Sequence, residues 1–196
     1  MKLLSIVALC TQAWLLQAQD LSPYFSFDTV IINPAIQSLV EEQTKIFDGH
    51  LGMVQTTLFI NDTLIEYTEP NEGMSFAKIF TYVKNDTLKS SGLIDLNEFL
   101  LFYTIIAPEE KYLLKAQLIS KENDFVITPK QLEKESLEVS FLSSSLNLAK
   151  EPDFKVGSTM HGMITFTTDN FFILIKDVET KLRFGVEVYF ISEVIK

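Results

Sequence analysis

Cysteine, histidine and basic residues are scarce in this chain of 196 residues, and each shortage removes a class of function. One cysteine and two histidines are too few to build the ligand set of a zinc site. Sixteen basic residues stand against 26 acidic ones, a net charge of −10, so nucleic acid is not an expected partner, because phosphate binding needs clustered Lys and Arg. Only 7 Gly and 6 Pro, with 47% hydrophobic residues, exclude a disordered or collagen-like chain and predict a domain with a sizeable core.

Residues 1–18 predict a secretory signal peptide, and so a secreted, extracellular protein. Lys2 precedes a short apolar run that ends near a small residue, Ala18. This run is interrupted by polar residues and is too short to span a bilayer comfortably, so no membrane span is expected. Cleavage would remove Cys10, the only thiol, which excludes a cysteine nucleophile and disulfide bonds from the remaining chain.

Two triplets have the pattern of N-linked glycan acceptors. They begin at Asn61 and at Asn85, and each reads Asn-Asp-Thr. In a secreted chain both asparagines are candidate glycosylation sites, and therefore candidate surface positions.

Three segments show the spacing of amphipathic helices, namely 35–47, 74–83 and 109–119. The first has the best start signal, because Asn33 is a favoured cap residue and Pro34 is favoured at the first helical position. The sequence therefore predicts helices over all three segments.

A second capped helix start and one strand complete the predicted elements. Thr128-Pro129, with Gln131 following, has the pattern of a capping box. The last residues, 179–196, alternate apolar and other residues with the period of a half-buried strand.

The segment Ser91–Leu100 is similar to the second half of an EF-hand calcium loop. In that loop a glycine makes a sharp turn, as Gly92 would here. A β-branched residue, here Ile94, pairs with a partner loop, and the final glutamate, here Glu98, supplies two oxygens to Ca²⁺.

The same frame recurs at Lys121–Leu132, and shorter turn-plus-hydrophobic triplets occur at 52–54 and 162–164. The residues equivalent to Ile94 are spaced by 40, 33 and 37 positions: Val54, Ile94, Ile127 and Ile164. The chain thus resembles a diverged, calmodulin-like EF-hand protein over residues 35–178. This resemblance implies a mostly α fold of paired, degenerate helix–loop–helix units in a domain of residues 19–178, with 179–196 as a β-like C-terminal extension.

The metal ligands that this resemblance implies are incomplete. Asp95 and Glu98 remain in the second loop, and Glu122 and Asp124 in the third. Ca²⁺ takes about six to eight oxygen ligands and gains affinity from carboxylates. We therefore expect no cofactor, or weakly bound calcium.

The resulting hypothesis is a secreted, acidic, glycosylated, non-enzymatic protein that binds a protein partner on an EF-hand-like scaffold. An alternative is a secreted all-β sandwich or barrel that carries a small apolar ligand, which the C-terminal alternation and the Thr/Phe/Ile-rich stretch Met163–Ile175 favour. A third possibility, a carboxylate-dependent hydrolase, is supported only by the acidic composition.

Overall fold

The protein is mostly β, which contradicts the predicted EF-hand fold and favours the all-β alternative. The structure, a computed structural model, describes residues 24–45, 51–65, 74–96, 99–108, 111–121, 125–128, 131–132 and 136–196. Within these ranges it contains a sheet of 15 strands and a short helix.

The elements follow one another along the chain as a series of strands that the helix interrupts once near the start. The first half comprises β1 (Phe25–Ser26), β2 (Thr29–Ile32), α1 (Ala35–Thr44), β3 (Leu51–Ile60), β4 (Thr63–Ile65), β5 (Met74–Lys84), β6 (Thr87–Leu96) and β7 (Phe99–Ala107). The second half comprises β8 (Leu113–Ser120), β9 (Phe125–Thr128), β10 (Gln131–Leu132), β11 (Ser136–Val139), β12 (Phe141–Leu148), β13 (Thr159–Thr168), β14 (Phe171–Ile175) and β15 (Val178–Ile195).

The main strands form a sheet that closes on itself. Antiparallel pairs lead from β3 through β5, β6 and β7 to β8, and from β12 through β13 and β15 back to β3. The remaining gap is closed by β11, which pairs with β8 and continues into β12 after Ser140. This corresponds to the barrel form of the all-β alternative, in which closure satisfies the edges of the main strands.

Alternating burial along the strands shows which side chains face the interior. In β7 the pattern runs from Phe99, through Leu101 and Tyr103, to Ile105, with less buried residues between them. The same alternation extends through β15, where a strand was correctly predicted. Interior residues of all the main strands belong to one hydrophobic cluster, so the closed sheet encloses a single core.

Four phenylalanine side chains fill one end of this core: Phe99, Phe125, Phe171 and Phe184. Their ring centroids are 5.7 to 6.1 Å apart, and most of the pairs are edge-to-face. Such contacts add to the free energy of burying each ring. We call this group the aromatic end.

The helix predicted after Asn33 is present as α1, and it packs on the outside of the sheet. Asn33 Oδ1 accepts a hydrogen bond from the Ala35 N–H at 3.0 Å, which explains why the helix begins there. Ile36 and Val40 form its buried face, which packs against Tyr189 of β15.

The other predicted helices are wrong. Residues 74–83 lie in β5 and residues 113–119 in β8, while Thr128, the proposed cap, ends β9. In β5 the interior position Thr81 is polar and the neighbouring Phe80 is apolar, which disguises the period-two pattern of a strand.

The EF-hand frame is contradicted at those of its defining residues that the structure describes. Gly92 lies inside β6 rather than in a loop, and Ile94 pairs with Ala77 and Leu101 instead of with Ile127. Val54 and Ile164 do not pair with each other, because both lie opposite Val188 of β15. The calmodulin-like resemblance is therefore wrong, and it no longer supports an expectation of calcium binding.

Candidate functional site

Of the four metal ligands expected from the EF-hand frame, the structure describes only Asp95. Asp95 is exposed on β6, where its Oδ1 accepts a hydrogen bond from Lys121 Nζ at 2.6 Å. Glu98, Glu122 and Asp124 lie outside the described residues. Across the ranges that the structure describes, no three His, Cys, Asp or Glu side chains form a group that could hold a metal ion.

Both predicted glycan acceptors are on the tips of two-residue hairpins. Asn61 and Asp62 connect β3 to β4, and Asn85 and Asp86 connect β5 to β6. All four residues have positive φ, between 49° and 65°, which is the geometry of the type I′ turn that Asn and Asp favour. These tips are exposed, as glycan acceptors must be, and glycosylation of Asn61 and Asn85 stays a prediction.

Replacing the acceptor threonines tests glycosylation without changing the turns. We expect Thr63→Val and Thr87→Val each to lower the mass of the secreted protein by one glycan, because valine keeps the β-branched shape but removes the hydroxyl that the acceptor triplet requires. Thr165→Val, at a strand position outside any acceptor triplet, is the matched control. A mass that is unchanged by enzymatic removal of N-linked sugars would contradict the prediction.

Near the end of the sheet opposite the aromatic end there is a cavity of about 10 Å³, lined among others by Ser90, Ile105 and Met160. It has room for about one water molecule. Tyr112 lies at this cavity and donates a hydrogen bond to Glu151 Oε2 at 2.8 Å. Burial, followed by this bond, raises the pKa of the Tyr112 hydroxyl.

A chain of three buried hydroxyls reaches the same cavity. Thr81 Oγ1 donates to Ser90 Oγ at 3.0 Å and lies 2.7 Å from Ser192 Oγ. Each hydroxyl carries one hydrogen, so Ser192 must be the donor to Thr81, and the hydrogen of Ser90 is used in neither bond. A single water accepting from Ser90 suits this cavity, but a larger ligand does not fit it.

A larger cavity, of about 210 Å³, lies where the closure of the sheet is interrupted. On the free side of β8, Leu113 and Leu114 pair with β1, while Ala116–Ile119 pair with β11. Lys115 lies between these two ladders, so it is at a seam in the wall of the sheet. We call this the seam cavity, and its lining residues are Phe25, Lys115, Ala116, Glu138, Val139 and Ser140.

The floor of the seam cavity is part of the hydrophobic core. Ala116 is 2% exposed and Val139 is 4% exposed, and both belong to the interior cluster. Phe25 forms one wall, and its ring packs edge-to-face on Phe141 at 5.3 Å, which in turn packs on the core residue Phe166 at 5.4 Å. The seam cavity therefore lies directly outside the core, whose side chains Ala116 and Val139 present little surface to it.

One ion pair lies on the polar side of the cavity. Lys115 Nζ is 3.5 Å from Glu138 Oε1, and it also lies 6.0 Å from the centre of the Tyr24 ring. The lysine side chain is only 12% exposed, whereas the glutamate side chain is 49% exposed. The site thus combines an apolar floor with a shielded positive charge.

A second set of hydrogen bonds holds the N-terminal segment that forms one wall of the seam. The Ser144 N–H donates to Asp28 Oδ2 at 2.6 Å, and the Asp28 N–H lies 3.2 Å from both the carbonyl oxygen and Oγ of Ser144. Directly after Asp28, β2 pairs in parallel with β12. The segment that includes Phe25 is therefore fixed to both β8 and β12.

The two histidines show no catalytic arrangement in the described part of the chain. His50 lies outside the described residues, and His161 is on β13 with its Nε2 3.7 Å from Glu41 Oε1 of α1. Burial is the largest influence on its pKa and lowers it; the Glu41 charge acts in the opposite direction. We find no nucleophile beside this imidazole among the described contacts.

Sequence reasoning missed every residue of the seam cavity. Lys115 and Glu138 come from strands that are neighbours only through the closure of the sheet, and no local motif marks either residue.

No helix among the described residues is long and apolar enough to cross a bilayer. Comparison with known proteins gives no match to a family model, to a curated protein or to a solved structure.

Proposed function

We propose that this chain is a secreted, non-enzymatic binding protein that carries one small, mainly apolar molecule in the seam cavity. The observation that carries the proposal is the interruption of the closed sheet at Lys115, where a cavity of about 210 Å³ lies beside the buried core residues Ala116 and Val139. Small-molecule sites combine apolar side chains with some polar groups, and this cavity is lined by three residues of each kind.

The seam cavity is a better candidate for a binding site than the cavity inside the sheet. The cavity within the sheet, at about 10 Å³, has room only for about one water molecule. The seam cavity is larger and is reached from the outside, between the ends of β1 and β11. Its size remains below the roughly 300 Å³ at which sites for drug-sized molecules begin, so it favours a small ligand.

Nuclear magnetic resonance titration with octanol tests this function. We expect saturable shifts in the backbone amide signals of Lys115, Glu138 and Val139, because these residues line the cavity. Ser140→Phe should weaken octanol binding about tenfold or more, since an aromatic ring at the exposed rim would fill the cavity from outside.

Ser143→Phe is the matched control, because Ser143 is also an exposed serine but does not line the cavity. It adds the same apolar surface and should leave the octanol affinity unchanged. Non-saturable shifts spread over the whole sheet, or equal weakening by both substitutions, would overturn the proposed function.

A further inference from the structure

We infer that the outer face of β3, β15 and β13 binds an acidic saccharide, whose carboxylate or sulfate group is held by Arg183 and by the hydroxyls of Thr57 and Thr167. The inference goes beyond the proposed function, because none of these three strands lines the seam cavity. It follows from the meeting of an arginine that has no anionic partner with two unbonded hydroxyls around Gly185.

Arg183 is the only arginine of a chain that contains 26 acidic residues, yet no carboxylate among the described residues pairs with it. Two lysines of the same sheet, Lys121 and Lys181, lie 2.6 and 2.5 Å from aspartate oxygens. Within the Arg183 guanidinium, only Nε is enclosed without a hydrogen-bond partner. The two terminal nitrogens are therefore the donors that a ligand can reach, and their spacing suits two oxygens of one oxyanion.

The Phe59 ring holds this guanidinium in place. Phe59 lies directly opposite Arg183 on β3, and the centre of the guanidinium is 4.3 Å from the centroid of the ring. This cation–π contact restrains a long side chain before any ligand arrives. Binding therefore costs less side-chain entropy than it would at an unrestrained arginine.

Gly185 leaves open surface beside Arg183 on the same outward face of β15. A Cβ atom at this glycine would have only Thr57 atoms as its nearest neighbours, at 3.4 Å and beyond. Thr57 and Thr167 lie directly opposite Gly185 on its two sides, so all three residues share one face. Neither threonine hydroxyl bonds a described residue, so both can donate to an oxyanion over the glycine.

The next row of outward residues specifies the rest of the ligand. Thr165 and Ser145 lie opposite each other on β13 and β12, and their hydroxyls also bond no described residue. Hydroxyls both donate and accept, as the hydroxyls of a sugar do. Glu187, opposite Thr165, carries a negative charge in this row, which disfavours a second anionic group on the ligand. A sugar with one carboxylate or one sulfate ester matches this arrangement.

Nuclear magnetic resonance titration with glucose, glucuronate and glucose sulfated on its primary hydroxyl tests the inference, because the three probes share a ring and differ in one group. We expect at least one anionic sugar to bind about tenfold more tightly than glucose, through the charge-assisted contact with Arg183. Its shifts should be saturable and centred on the backbone amides of Thr57, Arg183 and Gly185. The tighter of the two anionic sugars identifies the natural group as carboxylate or sulfate.

Arg183→Lys separates recognition by the guanidinium from simple charge attraction. It keeps the positive charge but not the planar pair of donors, so it should weaken the anionic sugar about fivefold. Thr57→Val, at an exposed position where folding is not at risk, should weaken it about twofold or more. Lys181→Met is the matched control, because it removes a neighbouring cation that is already paired with Asp62. It should change the affinity by less than about twofold.

Three results would overturn the inference. One is that neither anionic sugar binds more tightly than glucose. The second is that Arg183→Lys and Lys181→Met weaken binding equally, which would assign the effect to net charge. The third is that acetate, which has no sugar ring, binds as tightly as glucuronate, so that the hydroxyl rows contribute nothing. Octanol binding at the seam is measured separately, so the proposed function stands or fails independently of these results.

Discussion

Replacing Phe171 by alanine should lower the free energy of unfolding by about 3–5 kcal/mol. Phe171 is 5% exposed, and its ring centroid lies 6.1 Å from those of Phe99 and Phe125 and 5.7 Å from that of Phe184. Truncation would therefore remove one ring from the middle of the aromatic end and leave a cavity that its partners cannot fill. Denaturant unfolding followed by circular dichroism measures the change.

A matched truncation separates the loss of packing from the loss of a phenylalanine as such. Phe154 is 40% exposed, so Phe154→Ala should change stability by no more than about 0.5 kcal/mol. Phe171→Leu keeps much of the buried volume, so its loss of stability should lie between those of Phe171→Ala and Phe154→Ala. Equal effects of Phe171→Ala and Phe154→Ala would show that the aromatic end does not stabilise the closed sheet.

Local signals in the sequence are sufficient to predict a helix or a strand where one side of that element faces water. The β15 alternation from Phe184 through Val188 identified a strand because its interior residues are apolar and its exterior positions are mixed. The pair Asn33-Pro34 identified α1 because capping depends on neighbouring residues. Both predictions rest on interactions within a few positions along the chain.

The same local reasoning failed where interior and exterior residues are chemically alike. In β5 the polar Thr81 faces the core and bonds Ser192, while the apolar Phe80 lies on the less buried side. Because a polar residue takes an interior position and an apolar residue an exterior one, the apolar residues of β5 are spaced by three and four positions, which is typical of a helix. One of the two hydroxyl partners of Thr81, Ser192, is 111 positions away, so no short window of sequence could reveal it.

The two Asn-Asp-Thr triplets mark hairpins as well as candidate glycan acceptors. Asn61-Asp62 and Asn85-Asp86 are each flanked by apolar and β-branched residues, a pattern that also predicts a type I′ hairpin. Recognising both turns would have favoured the all-β alternative. The seam cavity, by contrast, depends on the pairing of β1 and β11 with β8, which only the closed sheet determines.

The EF-hand resemblance implies that Gly92 makes the turn of a calcium loop, whereas its role in the sheet is to make room for Tyr103. A Cβ atom at position 92 would lie 2.3 Å from both Cε1 and Cζ of the Tyr103 ring. The two residues are directly opposite each other on β6 and β7, and Tyr103 is only 1% exposed. The absence of a side chain is therefore required by packing inside the core, not by a loop conformation.

Gly92→Ala should consequently destabilise the protein by about 1–3 kcal/mol, because the tyrosine ring must leave its place or the strands must separate. Gly185→Ala is the matched control within a strand: its Cβ would lie 3.4 Å from Thr57 Cβ, an ordinary contact, so the cost should be less than about 0.5 kcal/mol. Denaturant unfolding of both variants gives the comparison.

Shortening Tyr103 should rescue Gly92→Ala if the clash is the cause. We expect Tyr103→Leu to cost less in the Gly92→Ala background than in the wild type, with a coupling energy of about 1 kcal/mol or more, since the two side chains compete for one space. Tyr103→Phe removes the hydroxyl, which is buried and has no hydrogen-bond partner among the described residues, so it should be neutral or stabilising by itself. It should give less rescue than Tyr103→Leu, because Cε1 and Cζ of the ring remain in the way. Strictly additive effects of Gly92→Ala and Tyr103→Leu would mean that the glycine is required for another reason.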